Sequence, residues 1–364
     1  MKTLIFVVAL ALAATAFAEE RPIDLVICLD TSGSMQGLIE AAKQKLWDIV
    51  NELGRAKPKP HLRVGLYVYG TPGYGAETGY VKKLIDLTDD LDSVYAQLTP
   101  LRTDGGEEYV ARVTRASVVE QPWSKEKDAL KIIVVAGNET ATQDPQFPVL
   151  DIAKQAITAG IIVNTIYCGS PTDGIAPGWR GVAQAADGQF ASIDQNNGTV
   201  VIATPFDQKL TELSGAINST YVAYGVRAGE GRDNQLRMDT APLAASPSAS
   251  AGRAAAKASG QYRNYHWDLV DAREQKEFNL AKVKEEELPA AMQKMTLEQR
   301  QTHLDEKSKA RADLQKQITE LNQQRQQFIA EEMTKGGQST DKAFDAAMLD
   351  AIRAQAVKKQ FRFE

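Results

Sequence analysis

The sequence has 364 residues, of which 43% are hydrophobic and 24% are charged, and its formal net charge is -5. This composition suits one or two globular domains and excludes a largely disordered chain. The mild negative charge, without a long run of Lys or Arg, excludes a chain built around contacts with phosphate backbones, so no nucleic-acid partner is expected.

The first eighteen residues have the features of a secretory signal peptide. Lys2 precedes an apolar run over residues 4–14, and a stretch of small residues ending at Ala18 offers a cleavage position. The run is too short to span a hydrocarbon core of about 30 Å, so no membrane span is expected once residues 1–18 are removed. We therefore expect an exported protein, either periplasmic or extracellular.

Apolar, strand-like runs alternate with helix-like segments over residues 24–224. The predicted strands are 24–30, 61–69, 80–87, 130–135, 161–167 and 189–193. The predicted helices between and after them are 37–53, 89–98, a segment from about 107, 149–159, 179–186 and 206–221. Two of the strands are apolar almost throughout, which is typical of parallel strands covered by helices on both faces. The alternation predicts a doubly wound, Rossmann-like α/β domain with a mostly parallel six-stranded sheet flanked by helices.

The sequence contains two cysteines, and both lie on these apolar runs, Cys28 on the first and Cys168 at the end of the fifth. In a parallel sheet another strand should separate these two runs, which places the sulfur atoms beyond the reach of a disulfide bond. An exported setting would permit pairing. We nevertheless expect two buried free thiols.

Composition changes beyond residue 225. Residues 226–261 are rich in Ala, Ser, Gly and Pro and have little apolar periodicity, which predicts a flexible linker. Residues 262–364 are predicted to form a helical tail, whose last part could fold back on the preceding helix. An approximate heptad seam runs along this tail, formed by Leu304, Leu314, Ile318, Leu321 and Phe328. Charged residues interrupt the seam at Lys307, Arg311 and Arg325, so a long solvated helix, a helical hairpin and a dimeric coiled coil all stay open.

One polar motif follows the first predicted strand. Asp30, Ser32 and Ser34 stand at the carboxyl end of a parallel sheet, which is where ligands bind in this class of fold. One carboxylate and two hydroxyls can turn toward a common point, and hard divalent cations prefer oxygen ligands. Gly33 lets the backbone bend between the serines. The alternative is that these residues only cap the turn and the helix that follows.

This Asp-x-Ser-x-Ser pattern, in this order of strands and helices, resembles the metal-ion-dependent adhesion site of von Willebrand factor A (vWA) domains, from Arg21 to about Tyr224. The segments AGNE, IIVNTIYCG, WRGVAQAADG and ASIDQN resemble exported bacterial proteins that join such a domain to a helical tail. The resemblance implies a vWA domain over residues 19–225 that binds Mg²⁺, Ca²⁺ or Mn²⁺. It also implies a protein partner whose acidic side chain completes the coordination of the cation.

In the family, two further loops usually supply a threonine and an aspartate to the site. Here the threonine position falls near Gly106 and the aspartate position falls at Gly137, so the sequence departs from the family at both. Other oxygen-bearing side chains on these loops become the candidate ligands, namely Thr103, Asp104, Glu107, Asn138 and Glu139. With fewer charged ligands than usual, the site is expected to bind its cation weakly until a partner carboxylate completes it.

The sequence predicts no catalytic residues and no organic cofactor. Its histidines, His61, His266 and His303, lie in no motif, and neither serine of the polar motif has a base nearby in the sequence. Nucleotide-binding and zinc-binding spacings are absent from the sequence. A hydrolase would need a base that the sequence does not offer.

The sequence therefore predicts an exported, non-enzymatic binding protein that uses a divalent cation to engage a protein or carboxylate-bearing partner. The alternative is a structural or scaffolding protein of the cell envelope. In that case the vWA domain is a passive core, and the helical tail mediates assembly, including assembly of a homo-oligomer.

Overall fold

The computed structural model describes residues 20–193, 202–336 and 344–363. The predicted signal peptide, residues 1–18, lies outside the described residues. The strands of the described residues are β1 (Arg21–Asp30), β2 (Ala56–Lys57), β3 (Pro60–Tyr69), β4 (Val81–Thr88), β5 (Leu130–Gly137), β6 (Ile161–Tyr167), β7 (Phe190–Ser192) and β8 (Arg362–Phe363). Their α-helices are α1 (Gln36–Gly54), α2 (Leu91–Leu98), α3 (Val110–Glu120), α4 (Val149–Thr158), α5 (Ala176–Ala185), α6 (Asp207–Ile217), α7 (Ala228–Ala245), α8 (Pro247–Ala258), α9 (Leu269–Ala272), α10 (Ala290–Gln293), α11 (Leu297–Gly336) and α12 (Phe344–Lys358).

Six strands form one sheet in the order β4-β3-β1-β5-β6-β7. Strand β4 runs antiparallel to β3, and the other neighbours are parallel. The predicted mostly parallel, six-stranded α/β fold is confirmed. The two-residue strands β2 and β8 form a separate antiparallel pair. Among the described residues, no helix combines the length and apolar character needed to cross a membrane.

Both faces of the sheet are buried, which explains why its central strands read as continuous apolar runs. Along β1, Ile27 and Leu29 pack in one core layer with α1 and α2, whereas Val26 and Cys28 pack in the other with α3, α4 and α5. The two cysteines are buried and free, as expected. Cys168 lies in the first layer, and β5 separates the strand that precedes it from β1.

The last helix of the described chain completes the first of these layers. We expected residues 206–221 to close the sheet domain, but α6 packs against α8 and α11 instead. Helix α12 packs against α1, β5 and β6, with Ile352 and Phe361 fully buried. The side-chain amides of Gln355 on α12 and Asn164 on β6 exchange two hydrogen bonds. The division into a domain ending at residue 225 and a separate tail is therefore corrected, and α12 packs on the sheet.

The flexible linker predicted over residues 226–261 is also wrong, because these residues form α7 and α8. Helix α8 begins where the Ser246 hydroxyl accepts the Ala249 N–H, with Pro247 at the first helical position. Small buried residues such as Ala251 and Ala254 let α8 pack closely against α1 and α6. The Ala and Ser content that suggested a linker instead provides these close helix contacts.

The charged residues that interrupt the heptad seam of α11 make contacts within the same chain. Leu304 and Ile318 of the seam are fully buried. Arg311 Nη1 lies 2.8 Å from Asp268 Oδ2, and Arg325 Nε lies 2.9 Å from Asp207 Oδ1. This side of the long helix therefore packs against the segments around α6, α8 and α9, rather than standing free as the seam of a coiled coil.

Candidate metal site at the carboxyl end of the sheet

The three residues of the polar motif converge at the end of β1. Asp30 is fully buried, and its Oδ1 accepts the backbone N–H of Ser32 at 2.7 Å. The hydroxyl oxygens of Ser32 and Ser34 lie 3.3 Å apart. The turn that these contacts form precedes α1, so the motif lies where the strand-to-helix connection was predicted.

The loop after β5 brings its two predicted residues to the same place. Asn138 Nδ2 donates to the Ser34 hydroxyl at 2.9 Å. Glu139 has an exposed side chain, and its backbone carbonyl accepts the Trp179 indole N–H at 2.7 Å. The negative charge of Glu139 contributes to raising the pKa of Asp30, after the larger effect of burial.

The second loop, which connects α2 to α3, places its predicted ligands around the site rather than in it. Thr103 donates to Gln36 Oε1 at 3.2 Å, and Asp104 Oδ1 accepts the Gly105 N–H at 3.0 Å. The side chains of Asp104 and Glu107 are exposed. In residues 20–193, no hydrogen bond joins the side chain of Thr103, Asp104 or Glu107 to a residue of the polar motif.

The second loop instead turns Glu108 into the site, a residue that the sequence analysis did not select. A Cβ on Gly70 would lie 2.7 Å from Asp30 Oδ1 and 3.1 Å from Glu108 Cγ, so both acidic side chains flank this glycine. Burial, followed by contact with Asp30, raises the pKa of Glu108 to about 9. Burial raises the pKa of Asp30 as well. Two buried carboxyl groups are stable side by side only if a proton or a cation lies between them.

Steric packing explains the glycines at the two positions where the family usually has ligands. A Cβ on Gly137 would collide with the Tyr69 hydroxyl and lie 3.1 Å from Asp30 Oδ2. A Cβ on Gly106 would collide with the Gly70 carbonyl oxygen. No room exists for an aspartate or a threonine there, and Glu108 supplies an acidic oxygen from a neighbouring position.

The site contains buried oxygens without hydrogen-bond partners in the described part of the chain. These atoms are Asp30 Oδ2, Glu108 Oε2 and Asn138 Oδ1. An unpaired buried oxygen is costly, and a hard cation bound by such oxygens would remove that cost. Within residues 20–193, 202–336 and 344–363, no three His, Cys, Asp or Glu side chains form a metal cluster. If a cation were bound here, the Asp30–Glu108 pair would supply the charged ligands, and hydroxyl and amide oxygens would fit the remainder.

Solved structures resemble about half of the chain at low identity. An aerotolerance-related membrane protein from Bacteroides fragilis NCTC 9343 is 18% identical, with 48% of this chain and 94% of that chain covered and a TM-score of 0.35. Proximal thread matrix protein 1 from the mussel byssus, with a zinc-occupied MIDAS motif, is 11% identical, with 48% and 42% covered and a TM-score of 0.38. The pilus adhesin SpaC from Lactobacillus rhamnosus GG is 17% identical, with 49% and 30% covered and a TM-score of 0.36. The chain thus spans less than half of the mussel and Lactobacillus chains.

The family comparison covers the sheet and its flanking helices. No curated protein matches the sequence. The family model described as the von Willebrand factor type A domain matches residues 24–216, which is more than half of the chain. The match includes the polar motif and both loops that meet it. The chain therefore belongs to the von Willebrand factor type A domain family.

Proposed function

We propose that this chain is an exported binding protein that holds a divalent cation at the carboxyl end of its sheet and engages a protein partner there. The observation that carries the proposal is that Asp30, Glu108 and Asn138 each have a buried side-chain oxygen without a hydrogen-bond partner in the described residues. Oxygen atoms of this kind are the ligands that Mg²⁺, Ca²⁺ and Mn²⁺ prefer.

The ligand set follows from the contacts around these oxygens. Asp30 and Glu108 would supply negative charge, while Ser32, Ser34 and Asn138 would supply neutral oxygens. A bound cation supplies positive charge that relieves the repulsion between the two buried carboxylates. The hydrogen bond from Asn138 Nδ2 to Ser34 orients the amide, so that its oxygen is the atom left for the cation.

The features of residues 1–18 support export, since they combine a basic start, an apolar run and small residues before the cleavage position. We propose binding rather than catalysis because the histidines of the chain have other contacts or lie elsewhere. His61 Nε2 lies 3.3 Å from Asp89 Oδ2, His266 packs on Tyr265, and His303 belongs to α11. None of these three imidazoles therefore contacts the site residues, where it could act as a general base.

The alternative of a scaffolding protein that assembles through its helical tail receives less support. Assembly would use the apolar seam of α11, yet Leu304 and Ile318 of this seam are buried within the chain. Helix α12 likewise packs on the sheet. Among the side chains that the structure describes, these apolar positions of α11 and α12 are thus used within the chain rather than offered to a coiled coil.

Calorimetric titration of Mg²⁺, Ca²⁺ and Mn²⁺ into the full chain tests the cation site. We expect saturable binding by the parent protein and its loss in Asp30→Asn, which keeps the shape but removes the charge. Asp104→Asn removes an exposed carboxylate nearby and serves as the matched control, which should bind as the parent does. A parent protein that shows no cation-dependent signal would remove the proposal.

A further inference from the structure

We infer that Gln143 is a positioning residue of the proposed cation site: it holds Glu108 beside Asp30 and is not itself a ligand. Gln143 belongs to the third loop, which we define as residues 138–148, between β5 and α4. The inference rests on the proposed cation site and extends it to a residue that the sequence analysis did not select.

The side chain of Gln143 is hydrogen-bonded to the backbone of Glu108. Gln143 Nε2 donates to the Glu108 carbonyl oxygen at 2.7 Å, and Gln143 is half-buried. Within residues 20–193, no hydrogen bond joins the Gln143 side chain to a residue of the polar motif. The contact of Gln143 with the site is therefore indirect and is made through Glu108.

The second loop is tied down on both sides of its exposed part. On one side the Asp104 N–H donates to the Thr31 carbonyl oxygen at 2.9 Å, and on the other side Glu108 accepts the bond from Gln143. Residues 105–107 between these bonds are exposed and include two glycines, which restrict the backbone little. The bond from Gln143 therefore holds the end of the loop at which Glu108 turns into the site.

The third loop is fixed on α3, which gives Gln143 a defined position. Asp144, the next residue, has a buried side chain that accepts two N–H groups of Arg112, each at 3.1 Å. Asp144 Oδ1 also accepts the backbone N–H groups of Gln146 and Phe147. A bidentate pair of this kind fixes both partners in one geometry. The amide of Gln143 thus approaches Glu108 from a loop that is already held in place.

Glu108 needs such an anchor because its place beside Asp30 is unfavourable when both carboxyl groups are ionised. Repulsion between the two charges favours turning Glu108 out to solvent, where the neighbouring Glu107 already lies. The hydrogen bond from Gln143 opposes this movement through the backbone. A cation then meets both charged ligands in position, so less free energy is lost in ordering the site when it binds.

Gln143→Met tests the inference because it keeps most of the side-chain length and removes the N–H donor. Calorimetric titration should show that Mg²⁺ binds this variant about 10-fold more weakly than the parent, as expected when a residue that orients a ligand is lost. Gln146→Met makes the same change at an exposed position of the same loop and should bind Mg²⁺ as the parent does. Equal affinity in Gln143→Met and the parent would overturn the inference.

A double-mutant cycle without metal separates a positioning role from a purely structural one. Urea unfolding in EDTA is measured for the parent, Glu108→Gln, Gln143→Met and the double variant. If Gln143 holds Glu108 beside Asp30, then Glu108→Gln should raise the unfolding midpoint of Gln143→Met by roughly half as much as that of the parent, or less. Equal gains in both backgrounds would show that Gln143 does not act through Glu108, and the inference would fail.

The two measurements also distinguish a failure of the inference from a failure of the cation site. A parent that binds Mg²⁺ but shows no coupling in the cycle would keep the cation site and exclude the role of Gln143. A parent that shows the coupling but binds no Mg²⁺ would overturn the cation site and the inference with it, although the orientation of Glu108 by Gln143 would stand.

Discussion

Two of the buried charge clusters in the described residues differ in whether counter-ions are present. In the closed cluster, between α2, α7 and α8, Arg253 Nη1 lies 2.5 Å from Asp92 Oδ1 and Arg253 Nε lies 3.0 Å from Asp239 Oδ1. Lys257 Nζ lies 2.9 Å from Asp239 Oδ2. In the open pair, Asp30 and Glu108 face each other, and no Lys or Arg among the described residues forms an ion pair with either.

Burial favours the neutral form of the carboxyl groups in both clusters, raising the pKa of Asp92 in the closed cluster as well, and the clusters differ in the charges that oppose it. Burial opposes ionisation of Asp239, but the charges of Arg253 and Lys257 outweigh it and lower the pKa of this carboxyl. Burial raises the pKa of Glu108 to about 9, and the Asp30 carboxyl adds to the effect. The closed cluster therefore contains its own counter-ions, which join α2, α7 and α8. The open pair is stable only with a proton or a cation from outside.

The largest expected effect comes from breaking the closed cluster. Arg253→Met keeps much of the side-chain volume but leaves Asp92 buried without its counter-ion, which should cost about 3–5 kcal/mol of unfolding free energy. Urea unfolding monitored by circular dichroism measures this change. Arg237→Met, at an exposed position on α7, should stay within about 0.5 kcal/mol of the parent. Equal losses in both variants would contradict the assignment of a structural role to the closed cluster.

A change in the open pair should raise the free energy of unfolding instead of lowering it. Glu108→Gln removes one of two adjacent acids, and its amide can donate to the Asp30 carboxylate, so the cation-free protein should gain about 1–3 kcal/mol of stability at pH 7. The same variant should lose Mg²⁺ affinity. Urea unfolding in EDTA and calorimetric titration measure the two effects. Glu107→Gln, exposed and adjacent in sequence, should change neither, and a loss of stability in Glu108→Gln would refute the comparison.

A change in stability that is small per pH unit, but spread over a wide pH range, should distinguish the two clusters further. The folded state holds the Glu108 proton up to about pH 9, whereas the unfolded chain releases it near the ordinary value of 4.5. Without divalent cation, stability should therefore fall as pH rises from about 4.5 to 9, by at most about 1.4 kcal/mol per pH unit. Unfolding curves in EDTA across this range should show the decline in the parent and a flatter profile in Glu108→Gln. Identical profiles would argue against the raised pKa.

The sheet could be predicted from the sequence because its strands are short apolar runs between polar turns, a local pattern. The motif at Asp30, Ser32 and Ser34 could be predicted for the same reason, since it immediately follows one of those strands. Glu108 could not be distinguished from Glu107 in this way. Both are acidic residues in an irregular loop, and only the packing of that loop against Gly70 decides which of them turns inward.

The segments beyond residue 225 were harder to predict because their packing partners lie far away in the sequence. Residues 226–261 contain mostly small side chains, which give little apolar periodicity, although Ser246 followed by Pro247 is a recognisable helix start. In the sequence, Arg311 and Arg325 interrupt an apolar seam, and nothing nearby in the sequence shows why. Their carboxylate partners, Asp268 and Asp207, are known only from the three-dimensional structure.

The position of α12 on the sheet affects how the protein folds. Arg353 on α12 pairs with Glu52 on α1 across 301 residues of chain, and Gln355 reaches Asn164 across 191. Bringing such distant segments together costs loop entropy before any packing is gained, and proteins dominated by such contacts fold slowly. Until α12 docks, the part of the sheet that it covers, at β5 and β6, is exposed, and exposed apolar surface of this kind favours aggregation.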